Sequence, residues 1–134
     1  MSAPSLPQDH EPNDTRPRRV VVVDDQPVFT DAARALLERR GYAVVGEAGC
    51  GASALEAVER LSPEAVLLDV RLGDDDGFEV CGALTRAHPG VAVLLASDSD
   101  YGAFEDLARA KGAAGFVRKS QLPRCDFERF WPRG

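Results

Sequence analysis

Four runs of mostly apolar residues in this chain stop at a residue able to do chemistry. Val20–Val23 leads into Asp24 and Asp25, Val66-Leu67-Leu68 into Asp69, Val91–Ala96 into Ser97, and Gly115–Arg118 into Lys119. Short continuous apolar runs fit strands buried on both faces. If the strands are parallel, their endings line the carboxyl edge of one sheet, where open α/β sheets bind ligands. Three carboxylates, a hydroxyl and an ammonium there suit a divalent cation with a phosphoryl group. The acids supply hard oxygen ligands, and the hydroxyl and ammonium supply donors to phosphoryl oxygens.

The intervening sequence must position those endings. Pro27 suits the first turn of a helix, with Val28, Ala32, Ala33, Leu36 and Leu37 predicted on one face and Gly41 as its stop. A second strand is expected over 42–47, and a second helix carries Ala54, Leu55, Val58 and Leu61 until Pro63 forbids continuation. A strand over 65–69 and a turn from Gly73 to Gly77 precede a helix with Phe78, Cys81 and Leu84 inward. A strand over 91–96, a helix with Phe104, Leu107, Ala108 and Lys111 closed by Gly112, and a fifth strand over 114–118 follow. A short final helix is expected between Leu122 and Trp131, with Phe127 and Phe130 also available for packing. Five β-α units in series predict a single-domain, doubly wound α/β fold with a five-stranded parallel sheet. Residues 1–18 hold four of the nine prolines among polar residues and are expected to be a disordered lead-in.

The 134 residues, 44% hydrophobic and 28% charged, match one globular domain. A formal charge of -6 argues against an electrostatic grip on nucleic-acid phosphate. No apolar run approaches the roughly 20 residues of a membrane span, and the N-terminus lacks the apolar core of a secretory signal. Cys50, Cys81 and Cys125 are widely spaced without a metal-ligand pattern, as expected of free thiols in a cytoplasmic protein.

Val-Val-Val-Asp24-Asp25-Gln-Pro, Leu-Leu-Asp69-Val-Arg-Leu-Gly-Asp-Asp-Asp76-Gly77, Ala-Ser97 and Gly-Phe116-Val-Arg-Lys119-Ser-Gln-Leu occur in one order, each at a strand end. Together they resemble the receiver domain of bacterial response regulators, a flavodoxin-like fold phosphorylated on aspartate. The resemblance covers roughly residues 18–122, within a receiver expected over 19–131. It implies Asp69 as phosphoacceptor, with Lys119 and Ser97 as the other catalytic groups. It implies Mg²⁺ held by Asp24, Asp25, Asp69 and the backbone carbonyl of Arg71. Ser97 and Phe116 match the family's switching pair. The implied partners are a sensor histidine kinase or phosphotransfer protein, a downstream protein, and a second copy of the chain, with no DNA-binding domain in this chain and no membrane. The expected chemistry is self-catalysed phosphorylation and slow autodephosphorylation, not metabolic turnover.

The sequence departs from the family pattern in four places. Gly73 stands where proline is usual, Ser120 replaces a common proline next to a frequent cis bond, Asp98 replaces a small residue, and the final helix is short. Local readings compete at several residues: Asp25 as a helix cap, Lys119 as a solvated charge, Asp74-Asp75-Asp76 as a solvated loop, Phe116 as ordinary core, Asp98 as a cap.

The alternative function is a phosphate-independent receiver-like scaffold. A Mg²⁺-dependent phosphatase with an aspartyl nucleophile would need a second acid two residues on, where Arg71 stands. A flavodoxin is disfavoured because Asp25-Gln26-Pro27 offers acids to a phosphate that seeks bare N–H groups.

Overall fold

In the computed structural model, which describes residues 16–99 and 102–131, the alternating pattern becomes a five-stranded parallel sheet. Its strands are β1 (Arg19–Val23), β2 (Ala43–Ala48), β3 (Ala65–Asp69), β6 (Ala92–Ser97) and β7 (Gly115–Arg118). A two-stranded hairpin of β4 (Arg71–Leu72) and β5 (Asp75–Asp76) follows β3. The helices are α1 (Pro27–Arg39), α2 (Gly51–Leu61), α3 (Gly77–Ala87), α4 (Ala103–Ala110) and a single turn α5 (Phe127–Phe130), preceded by a 3₁₀ segment, Lys119–Arg124. Strand order is β2-β1-β3-β6-β7, the flavodoxin-like order expected. The chain reverses direction across the sheet at β1 and β3, so the crevice above their carboxyl ends is the natural ligand site. The expected lead-in lies mostly outside the described residues.

The period of two explains the all-apolar strands. Val21, Val23, Val66, Leu68, Val93 and Leu95 face a core shared with α2, α3 and α4. Val20, Val22, Ala65, Leu67, Leu94 and Ala96 face a second core shared with α1 and the C-terminal segment. Each fully buried side chain of this size contributes roughly 1.5–3 kcal/mol, before the entropy of ordering the chain is subtracted.

Two expectations need correction. Val28 is 83% exposed, and Ala32 is exposed too. The buried line of α1 is Thr30, Ala33 and Leu37, with Phe29 and Leu36 partly buried. Val28 lies about 140° around the helix from Ala33, so it cannot share that line. Thr30 can, because its hydroxyl donates to the Pro27 carbonyl at 3.0 Å. On α4, Leu107 is 38% exposed, while Ala108 and half-buried Phe104 make the contact.

The short final helix lies within the expected range, and a 3₁₀ segment precedes it. Pro123 removes a backbone donor and the chain runs as 3₁₀ turns before one α-turn. Packing holds this segment instead. Trp131 stacks on Phe127 with ring centres 5.2 Å apart, and Tyr42 meets both edge-on. Arg40 donates to the carbonyls of Cys125 and Pro123, and Tyr42 to Glu128.

Candidate functional site

The carboxyl edge of the sheet gathers the predicted residues. Asp24 and Asp25 follow β1, Asp69 ends β3, Ser97 ends β6, and Lys119 follows β7. Oxygens of Asp24, Asp25 and Asp69 all lie within 4.8 Å of one another. Asp25, Asp69, Arg71, Ser97 and Lys119 line a cleft of about 360 Å³.

The local chain accounts for each position. Asp24 is buried; its Oδ1 accepts the Gln26 N–H at 2.9 Å and its Oδ2 accepts Lys119 Nζ at 2.6 Å. Lys119 Nζ also lies 3.4 Å from Asp69 Oδ2, and its side chain is only 11% exposed. Gly77 starts α3 directly against the backbone of Asp69 and Val70, where a β-carbon would collide with the Asp69 carbonyl. Between β4 and β5, Gly73 has φ +61, which the fixed φ of proline cannot reach. The family's usual proline is thus replaced by a two-residue turn that closes a hairpin.

Electrostatics follows from burial. Burial raises the Asp69 carboxyl to about 6, and the Asp24 charge adds to that, while Lys119 and a backbone hydrogen bond from Arg71 oppose it. Burial works against the charge on Lys119, but the Asp24 hydrogen bond and the charges of Asp69, Asp24 and Asp98 outweigh it, and its pKa is raised. The donor set is all oxygen, with no histidine or cysteine in the cluster, which fits a hard divalent cation such as Mg²⁺ or Ca²⁺. A cation here would also offset the mutual repulsion of the acids.

Several local alternatives fall. Gln26, not Asp25, is the N-cap of α1; Gly102, not Asp98, is the N-cap of α4; and Lys119 is not a solvated surface charge. The acidic loop is more than solvated. Asp76 Oδ1 caps α3 through the Phe78 N–H, and Asp75 Oδ2 accepts the Gly51 N–H that opens α2 at 2.8 Å. Ser97 is buried, and its Oγ accepts the Ser99 N–H at 3.0 Å. Phe116, half-buried, packs edge-on against Phe104, which packs edge-on against Phe78. The Lys119–Ser120 bond is trans.

Sequence reasoning missed Phe29, whose ring centre lies 4.1 Å from Lys119 Nζ. Its signal was position: it lies in the first turn of α1, directly after the β1 ending that carries Asp24 and Asp25.

The comparisons with known proteins agree with this geometry. The family "Response regulator receiver domain" matches residues 20–124. "Probable transcriptional regulatory protein NarL" of Mycobacterium tuberculosis is 42% identical over 102 residues, covering 75% of this chain and 47% of that protein. The chain spans about half the length of the curated relatives it matches. The solved signal receiver domain of NarL from Mycobacterium tuberculosis superposes with a TM-score of 0.72 at 38% identity, covering 81% of this chain and 92% of that one. A response regulator from Burkholderia pseudomallei, solved with a phosphorylated aspartic acid, calcium ion and citrate, superposes at 0.77 with 26% identity, covering 86% of this chain and 67% of that one. Among the described residues no helix is long and apolar enough to cross a membrane. With the matched span, the strand order and the acid-lysine cleft in agreement, the chain belongs to the response regulator receiver domain family of two-component systems.

Proposed function

We propose that residues 19–131 act as a cytoplasmic receiver that takes a phosphoryl group onto Asp69 from a phosphohistidine of a sensor kinase or phosphotransfer protein. The observation that carries this reading is the buried contact of Lys119 with both Asp24 and Asp69. An Asp69 carboxylate oxygen attacks phosphorus as the P–N bond to the donor imidazole breaks, and the leaving nitrogen takes a proton from solvent. Both partners are anionic, so catalysis comes from positioning and charge neutralisation. Lys119 pairs with a phosphoryl oxygen as a compact charge. The Ser97 oxygen already accepts the Ser99 N–H, leaving its own proton for another phosphoryl oxygen.

Asp24, Asp25, Asp69 and the Arg71 carbonyl would hold Mg²⁺, which when bound supplies positive charge between nucleophile and phosphoryl oxygens. The Burkholderia pseudomallei relative, with its phosphorylated aspartate and calcium ion, supports both halves of this assignment. Ser97 and Phe116 lie on one sheet face, in register with Arg118 and Leu95 on the neighbouring strands. Movement of that pair would report phosphorylation to a downstream protein, or to a second copy of the chain, at the α4–β7 surface.

The test is intact mass after incubation with Mg²⁺ and a small acyl or amido phosphate. Gain of one phosphoryl group, lost in Asp69→Asn, supports the receiver. A folded parent that gains none supports the second reading, a phosphate-independent scaffold, which Asp98 at the cleft and the one-turn α5 favour. Steady phosphate release without an adduct points to a phosphatase.

A further inference from the structure

We infer that Phe29 is a positioning residue for Lys119, an inference that rests on the proposed phosphoryl transfer to Asp69. The ring of Phe29 projects from the first turn of α1, and the Lys119 ammonium sits 4.1 Å from its centre. That is well inside the roughly 6 Å reach over which an aromatic face attracts a cation. Among the described residues the ammonium contacts Asp24 Oδ2 at 2.6 Å, Asp69 Oδ2 at 3.4 Å and this ring. The two carboxylates draw it into the cleft, and the ring backs it on the α1 side.

Lysine is an unbranched chain whose head would otherwise sample many rotamers, and only part of that space points at Asp69. A flat apolar wall limits the space without adding a competing acceptor. The quadrupole of the ring favours the charged amine, the form needed to neutralise a phosphoryl oxygen. An aliphatic residue of similar bulk supplies the wall but not the quadrupole.

Phe29 and Lys119 both line a groove of about 550 Å³ between α1 and the 3₁₀ segment, with Ala33, Leu36, Leu122 and Pro123. Phe29 is thus only half-buried, at the rim of the second core. Replacing it should leave the fold intact, so its effect on the site can be read separately.

The experiment compares the full chain with Phe29→Leu and Phe29→Tyr, measuring phosphorylation rate by intact mass with acetyl phosphate and Mg²⁺. Phe29→Leu should slow labelling about two- to fivefold, the range for a partly exposed cation–π contact, and Phe29→Tyr should restore it. Equal rates for Leu and parent, or equal losses in Leu and Tyr, would overturn the inference. A thermal unfolding cycle with Lys119→Met reads the contact without phosphorylation: the Tm cost of Phe29→Leu should shrink by at least half in the Lys119→Met background. An unchanged cost there overturns the inference too. A folded parent that takes no label, with the Tm coupling present, overturns the proposed function but leaves the contact established.

Discussion

Lys119 Nζ is 2.6 Å from Asp24 Oδ2 but 3.4 Å from Asp69 Oδ2, so the ammonium is held more closely by an acid of the cation cluster than by the proposed nucleophile. Burial raises the Asp69 carboxyl to about 6, and the Lys119 charge, shared with Asp24, offsets only part of that. A cation held by Asp24 would compete with Lys119 for that carboxylate. Ion binding would then free the lysine for the phosphoryl group.

Mg²⁺ should bind weakly and raise Tm, since at a concentration equal to Kd a ligand adds only about 0.4 kcal/mol. Asp24→Asn or Asp25→Asn should lose most of that gain. Lys119→Gln should tighten Mg²⁺ binding, on the order of tenfold, by removing a competing cation from Asp24. Titration calorimetry and thermal unfolding check both. An unchanged Mg²⁺ response in both Asn variants would place the metal elsewhere.

Asp69→Asn should abolish the phosphoryl adduct while leaving the circular dichroism spectrum unchanged. The side chain is nearly isosteric, and only the nucleophile is removed. Full labelling of the variant at another carboxylate would move the phosphoacceptor.

The sheet and its carboxyl edge were legible because continuous apolar runs and terminal polar residues are strong local signals. Asp24, Asp69, Ser97 and Lys119 meet where those runs end. What was not legible depended on angles and long-range partners. Val28 looked inward by composition, but the helix phase set by Ala33 and Leu37 turned it outward. Asp75 read as a solvated loop residue because its partner, the Gly51 N–H, lies 24 residues away. How the C-terminal segment is held was not legible, because the packing of Tyr42, Phe127 and Trp131 and the Arg40 hydrogen bonds carry no periodic signal.

The three thiols should react at different rates with a thiol reagent. Cys50 is exposed, and the Ser53 hydroxyl beside it lowers its pKa, whereas burial raises Cys81 to about 11 and also raises Cys125. The thiolate is the reactive form, so Cys50 should label first, at a pH below the ordinary thiol range, and Ser53→Ala should move its profile upward. Three equal rates in the folded chain would contradict this.

The Cys81 shift also bears on stability. The folded thiol keeps its proton above pH 9, the ordinary thiol value, while the unfolded one loses it, so stability should fall as pH rises from about 9 to 11. Denaturant unfolding of parent and Cys81→Ala across that range checks the sign, with a shallower decline expected in the variant.

Asp98→Ala should phosphorylate faster with a small donor. Asp98 follows Ser97, is exposed, lines the same cleft as Asp69, and raises the Lys119 pKa by its charge. Its carboxylate meets an incoming anionic donor before Lys119 does. Two unit charges about 8 Å apart repel by about 0.5 kcal/mol in water and about 2 kcal/mol at an effective dielectric of 20. At an exposed rim the lower figure applies, which sets the gain at about two- to threefold. The gain should shrink as salt rises, because screening removes the repulsion while leaving the shape of the pocket unchanged. A gain that persists at high salt would make Asp98 a steric obstacle instead, and equal rates at low salt would remove it from the entrance altogether.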